Sequence, residues 1–183
     1  MEKILITGTG RCGTTFLIKL FSFLEFNTGF NRNNYMAFIH NNCNSGMETP
    51  YDSDYYINKN PDFISNIENI LKDVSIKIKT VIIPIRDFKL SAISRVKNSN
   101  NKGGLWNAFD ELSQINYYKD IISNYIYFMT KYEINTIFID FDKMISDKKY
   151  LFDKLKNILD EKNIEFDMFS NVYDEVSLTS KNI

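Results

Sequence analysis

The 183 residues carry 22 basic and 23 acidic side chains for a net charge of −1, the length of one domain (1–183) able to bury a core. No global field draws such a chain onto nucleic acid or an anionic membrane, so any anionic ligand must be held by a local cluster. Two cysteines (Cys12 and Cys43) and a single histidine exclude a disulfide framework and give no zinc-ligand spacing; both thiols are read as reduced.

Lys3 to Thr7 reads as a short buried strand. It starts so close to Met1 that no secretory or transit segment is expected ahead of it, which points to the cytoplasm. Gly8 to Gly13 is a glycine-rich turn. Thr14 to Leu24 is apolar on nearly every side, as in a helix buried beside a central sheet. The apolar stretch Phe16 to Phe26 is broken by Lys19 and Glu25 and is too short to span a bilayer. From residue 27 to about 55, Asn, Gly, Ser and Asp dominate, with Tyr35, Phe38 and Tyr51 among them. A weakly patterned stretch of this length inside a compact domain predicts a lid or binding region.

Tyr55 to Ile57 reads as a short strand, and Pro61 suits the first turn of a helix whose apolar face is Phe63, Ile64, Ile67, Ile70 and Leu71. Thr80 to Ile85 is a further strand, with Pro84 expected near its end or at a bulge. Asp87 caps a helix running to about Lys97. Asn98 to Gly104 reads as a loop. Leu105 to Tyr132 reads as a long helix burying Trp106, Phe109, Ile121, Ile122, Tyr125 and Met129. Thr136 to Ile139 is a strand, and Leu151, Phe152, Leu155, Ile158 and Leu159 mark a final amphipathic helix. Strands separated by helices predict an α/β domain: three layers, α/β/α, around a central parallel sheet. Ligands of such sheets bind at the carboxyl ends of the strands.

Two segments fall there. Gly8-Thr9-Gly10-Arg11-Cys12-Gly13-Thr14-Thr15 matches the frame of a nucleotide phosphate loop, in which backbone N–H groups curl round an anion at a helix's positive end. Thr14 stands where an NTP-hydrolysing loop has its lysine, and the positive charge has moved to Arg11. The second segment runs from Arg86, at a strand end, to Ser94, about two helical turns on and on one face with Ser91. A guanidinium fork and a hydroxyl together suit one phosphate group. Each segment alone also has a plain structural reading: a turn that binds nothing, and an arginine in a surface ion pair.

As a pair, these segments resemble the sulfotransferases that use 3′-phosphoadenosine-5′-phosphosulfate (PAPS). Arg11 to Thr15 is similar to their 5′-phosphosulfate loop, and Arg86 with Ser94 to their 3′-phosphate motif, although Phe88 stands where a proline often follows. Softer likenesses to small bacterial and viral members are Gly46-Met47-Glu48, Lys59-Asn60-Pro61, Gly103 to Trp106, Phe141-Asp142 and Tyr150-Leu151. Together they span about residues 3 to 160.

The resemblance implies a P-loop NTPase-like fold and metal-independent sulfuryl transfer from PAPS to a hydroxyl on a carbohydrate or small alcohol. It implies donor binding by Arg11, Cys12, Gly13, Thr14, Thr15, Arg86 and Ser94. Arg11 would stabilise the leaving group, Lys59 would add a cation near the sulfuryl group, and Glu48 would serve as general base. Asp52, Asp54 and His40 compete for that last role; His40 is read as a surface imidazole, and Trp106 as a core or hinge residue outside the site. Two other readings stay open: a P-loop kinase of a nucleoside or small metabolite, with Asp87 as a magnesium ligand, and a nucleotide-binding module without turnover.

Overall fold

The computed structural model describes residues 2–40, 45–98 and 104–181. Four parallel strands form the central sheet in the order β4-β1-β5-β6: β1 (Glu2–Ile6), β4 (Ile57–Lys59), β5 (Lys77–Ile85) and β6 (Thr136–Asp140). Their alternating side chains supply two cores. Ile4, Ile6, Ile57, Ile82 and Ile139 pack with α1 (Thr14–Phe23), α6 (Lys148–Leu159) and α7 (Phe166–Lys181) on one face. Leu5, Val81 and Ile83 pack on the other with a 3-10 turn (Pro61–Ser65), α2 (Ile67–Lys72) and α4 (Glu111–Lys131). Helices therefore flank the sheet on both faces, as the alternation of elements predicts.

From β1 the chain passes through α1 to β4 on one side, then crosses to β5, and from there through α3 (Phe88–Lys97) and α4 to β6 on the other side. The direction of travel reverses between β1 and β5. That is the crevice where open α/β sheets bind ligands.

Pro84 sits one residue from the end of β5. The Val81 N–H points to the β6 side, donating to Asn135 O, so the donor Pro84 lacks would face β1. There β1 has already ended at Ile6, and little pairing is lost. Asp87 caps α3 as expected, accepting from Leu90 N–H at 2.8 Å.

Three readings need correction. The strand predicted at 55–57 is β4 at Ile57–Lys59, and Pro61 opens a 3-10 turn capped by Asn60, not a full helix. The long helix starts at Glu111, because Asp110 and Ser113 form a capping box, and Phe109 ahead of it is 84% exposed. The 160–181 region, for which no element was predicted, carries α7, whose Phe169, Tyr173 and Val176 enter the core. The described parts of the 27–55 segment pack onto the body: Phe30, Tyr35 and Met47 are buried, and β2 (Ile39–His40) pairs antiparallel with β3 (Ser45–Gly46). Cys43 and Gly103 lie outside the described residues. Among the described residues, no helix is long and apolar enough to cross a membrane.

Candidate anion-binding site

A cavity of about 660 Å³ opens at the carboxyl ends of all four sheet strands, within the ~300–1,000 Å³ usual for small-molecule sites. The loop after β1, Lys59 of β4, Arg86 after β5 and Phe141 after β6 all line it.

The loop turns sharply. Gly10 (φ 70°), Arg11 (φ 56°) and Gly13 (φ 90°) are all left-handed, a conformation that costs a non-glycine residue such as Arg11 roughly 1–2 kcal/mol. Gly10 is required for a second reason: a Cβ there would lie 2.1 Å from an Arg95 nitrogen. Arg95, 7% exposed, braces the loop from below. Its guanidinium donates to Thr9 O (3.2 Å), to the Tyr118 hydroxyl (2.7 Å) and to Gly104 O, and it lies over the Trp106 ring at 5.3 Å. The turn delivers the chain to α1, whose first turn has neither a capping side chain nor an acidic residue. The helix's positive end is left to whatever enters the cavity.

Arg11 and Arg86 converge on this loop. Arg86 Nη1 donates to Arg11 O at 3.1 Å, and the guanidinium lies 4.7 Å from the Phe141 ring centroid. Its Nε is buried without a partner, and among the described residues no carboxylate pairs with it. Arg11 Nε in turn donates to Ser94 Oγ at 3.1 Å, so the two segments picked out in the sequence touch each other.

Opposite them, Lys59 is 1% exposed. Its ammonium donates to Thr15 Oγ1 (3.3 Å), Gly46 O (2.9 Å) and Glu48 Oε1 (2.6 Å), which accounts for all three of its protons. Burial pushes the Lys59 ammonium below its ordinary range, against the opposing pull of Glu48. Glu48 reaches this position because its neighbours are fixed. Met47 is buried, and Thr49 exchanges hydrogen bonds with Lys59, Thr49 N–H to Lys59 O at 2.9 Å and Lys59 N–H to Thr49 Oγ1 at 3.1 Å. The glutamate between them is turned outward to the cavity rim. Gly46 admits no side chain, since a Cβ would sit 1.8 Å from Phe38 O.

Of the residues predicted from sequence, Arg11, Gly13, Thr14, Thr15, Glu48, Lys59 and Arg86 line the one cavity. Cys12 and Ser94 do not. Cys12 is fully buried beneath the loop, which pushes its thiol pKa up, and Ser94 is engaged with Arg11. His40, read as a surface imidazole, lines the cavity, and so does Trp106, read as a core or hinge residue outside the site. Sequence reasoning also missed Arg95 and Lys19. Arg95 closes the second motif without any signal of its own. Lys19 did give one, a lone charge in a helix otherwise apolar on nearly every side. Five cations (Arg11, Lys19, Lys59, Arg86, Arg95) thus line the cavity against two carboxylates, Glu48 and Asp62. Among the described residues, no group of three or more His, Cys, Asp and Glu side chains comes together.

Comparisons with protein families, with curated proteins and with solved structures each found no match to this chain.

Proposed function

We propose that this chain is a P-loop NTPase-like sulfotransferase that moves a sulfuryl group from PAPS to a hydroxyl acceptor. One observation carries the reading: a chain of net charge −1 gathers Arg11, Lys59, Arg86 and Arg95 and an uncapped helix N-terminus round a single cavity at the β1/β5 crevice. A site of that kind is built for an extended anion with more than one charged group.

In this reading the backbone N–H groups from Arg11 to Thr15, Cys12 included, hold the 5′ side of the donor. Arg86 takes the 3′-phosphate, and Ser94 joins it by letting go of Arg11. Donor binding would then free Arg11 to face the bridging oxygen, where charge develops as the bond breaks. The acceptor oxygen bonds to sulfur while the bond from sulfur to the 5′-phosphate oxygen breaks. The electron pair leaves with adenosine 3′,5′-bisphosphate, and the hydroxyl proton passes to Glu48. Lys59 holds Glu48 beside the loop and adds a cation next to Thr15. In a kinase of the P-loop type the hydroxyl corresponding to Thr15 serves a magnesium ion; here an ammonium already meets it, which favours sulfuryl over phosphoryl transfer.

Calorimetry in excess chelator tests this. Adenosine 3′,5′-bisphosphate should bind without divalent metal, and adenosine 5′-phosphate about 10-fold or more weakly, for loss of charge-assisted bonds at roughly 1.5–3 kcal/mol each. Equal affinity for the two would remove the role given to Arg86 and Ser94. A strict magnesium requirement, with ATP the tighter ligand, would make the kinase the better reading.

A further inference from the structure

Past the phosphate loop, the cavity continues under the segment that roofs it. One helical turn beyond Thr15 on the same face of α1, about 6 Å along the axis, stands Lys19. Phe16, Ile39, His40 and Ser45 line the cavity with it. Lys19 is 2% exposed, yet among the described residues its ammonium has neither a hydrogen-bond acceptor nor a carboxylate within ion-pair distance. It rests against aromatic faces, 4.4 Å from the Tyr35 ring centroid and 5.7 Å from that of Phe23. The one carboxylate whose field reaches it, Glu175, is already gripped by Arg32, with Nε to Oε1 at 3.0 Å and Nη2 to Oε2 at 3.0 Å.

The cation–π contacts offset part of the cost of burying this charge, but they satisfy none of its three N–H donors. Burial lowers its pKa to about 8, which still leaves most of it charged at neutral pH. A buried ammonium that lines a cavity with its donors unspent is half of an ion pair. Lys59 cannot be compared with it, because Glu48, Thr15 and Gly46 occupy all of its protons. Arg86, by contrast with Lys19, is engaged with Arg11 and Phe141.

We propose that Lys19 binds an anionic group of the acceptor, so that the acceptor is a hydroxyl compound that also carries a carboxylate, phosphate or sulfate. This rests on the sulfuryl-transfer reading for its chemistry. Lys19 takes no part in the bonds that change; it places the acceptor, and it rejects neutral alcohols by leaving its own charge unpaired when they bind.

The test is a calorimetric titration with glucose, glucuronate, glucose 6-phosphate and glucose 6-sulfate, with and without saturating adenosine 3′,5′-bisphosphate. At least one of the anions should bind about 10-fold or more tightly than glucose, as expected for one charge-assisted contact. Lys19→Met should abolish that preference and Lys19→Arg should retain it, while all three proteins bind the bisphosphate equally. If Lys19→Met does not fold, Lys19→Gln takes its place. The proposal is overturned if glucose binds as tightly as the anions, if no anion binds, or if the preference survives in Lys19→Met. Should the bisphosphate fail to bind while a Lys19-dependent preference remains, the sulfuryl reading falls and the anion site stands.

Discussion

The two walls of the cavity hold positive charge in different ways. On the loop wall, guanidiniums donate to backbone carbonyls, Arg86 to Arg11 O and Arg95 to Thr9 O and Gly104 O. The charge is held there by the same bonds that shape the loop. On the roof wall the cations are ammoniums, one paired to a carboxylate and one lying over aromatic rings. The difference follows from the side chains: a planar fork can brace a backbone and keep donors to spare, whereas a compact ammonium is either consumed or left over. Substitutions of the bracing Arg86 and Arg95 should therefore disturb the loop or donor binding, and roof-wall substitutions should alter chemistry or acceptor choice and leave the loop intact.

The sharpest way to break that contrast is Glu48→Gln. It should lower kcat by about 10²–10⁴ while calorimetric affinity for adenosine 3′,5′-bisphosphate stays as it was. Near-normal turnover would pass the base role to His40, which shares the cavity, or to Asp52 or Asp54. Next comes Arg95→Met, which strands two carbonyls and the Tyr118 hydroxyl. We expect a loss of about 2–4 kcal/mol in urea unfolding, and unchanged stability would show that the brace is not structural.

On the sulfuryl-transfer proposal Arg86→Ala should raise KM for the donor by about 10- to 100-fold, since the phosphate assigned to it does not change in the reaction, whereas Arg11→Ala should mainly lower kcat. If steady-state kinetics show weaker donor binding alone in both, Arg11 does not serve the leaving group. The smallest effect concerns Lys19 and pH. Its pKa falls from 10.5 unfolded to about 8 folded, so below pH 8 the folded protein carries a charge that its surroundings disfavour. Lys19→Met should then raise Tm by a few degrees at pH 7. As pH climbs from about 8 towards 10.5, the unfolded chain keeps a proton that the folded one has lost, and the advantage should fade. A gain that grew with pH in thermal melts would contradict the burial of an uncompensated charge.

The contrast also explains what could be read in advance. The loop wall was legible because its residues are contiguous and their spacing carries the chemistry: the glycines, Arg11, Thr14 and Thr15 in one run, Arg86 and Ser94 in another. The sheet was legible too, from apolar runs of strand length. The roof was not. Glu48 and Lys59 were picked out separately, but their pairing depends on Thr49 binding along β4, and no periodicity records that. His40 reads as a surface residue from its Asn-rich surroundings and Trp106 as a core or hinge residue, although tertiary packing brings both to the cavity. Helix α7 was missed because Phe166 to Lys181 mixes Ser, Asn and Asp with its apolar positions, and its core face shows only once α1 and α6 are in place.

The hydrogen bonds that position the roof have one more effect. In the order β4-β1-β5-β6, β4 lies at the margin of the sheet, and its outward N–H and C=O groups would be a template for a strand from another molecule. Ile57 N–H instead donates to Asn27 O at 3.0 Å, and Lys59 is bonded through both its N–H and its C=O to Thr49. The segment that lines the cavity therefore also keeps neighbouring molecules from adding to the sheet. Trimming residues 27–55 to open the cavity would uncover that margin, and such a shortened chain should self-associate through β4 rather than yield a monomer with a wider mouth.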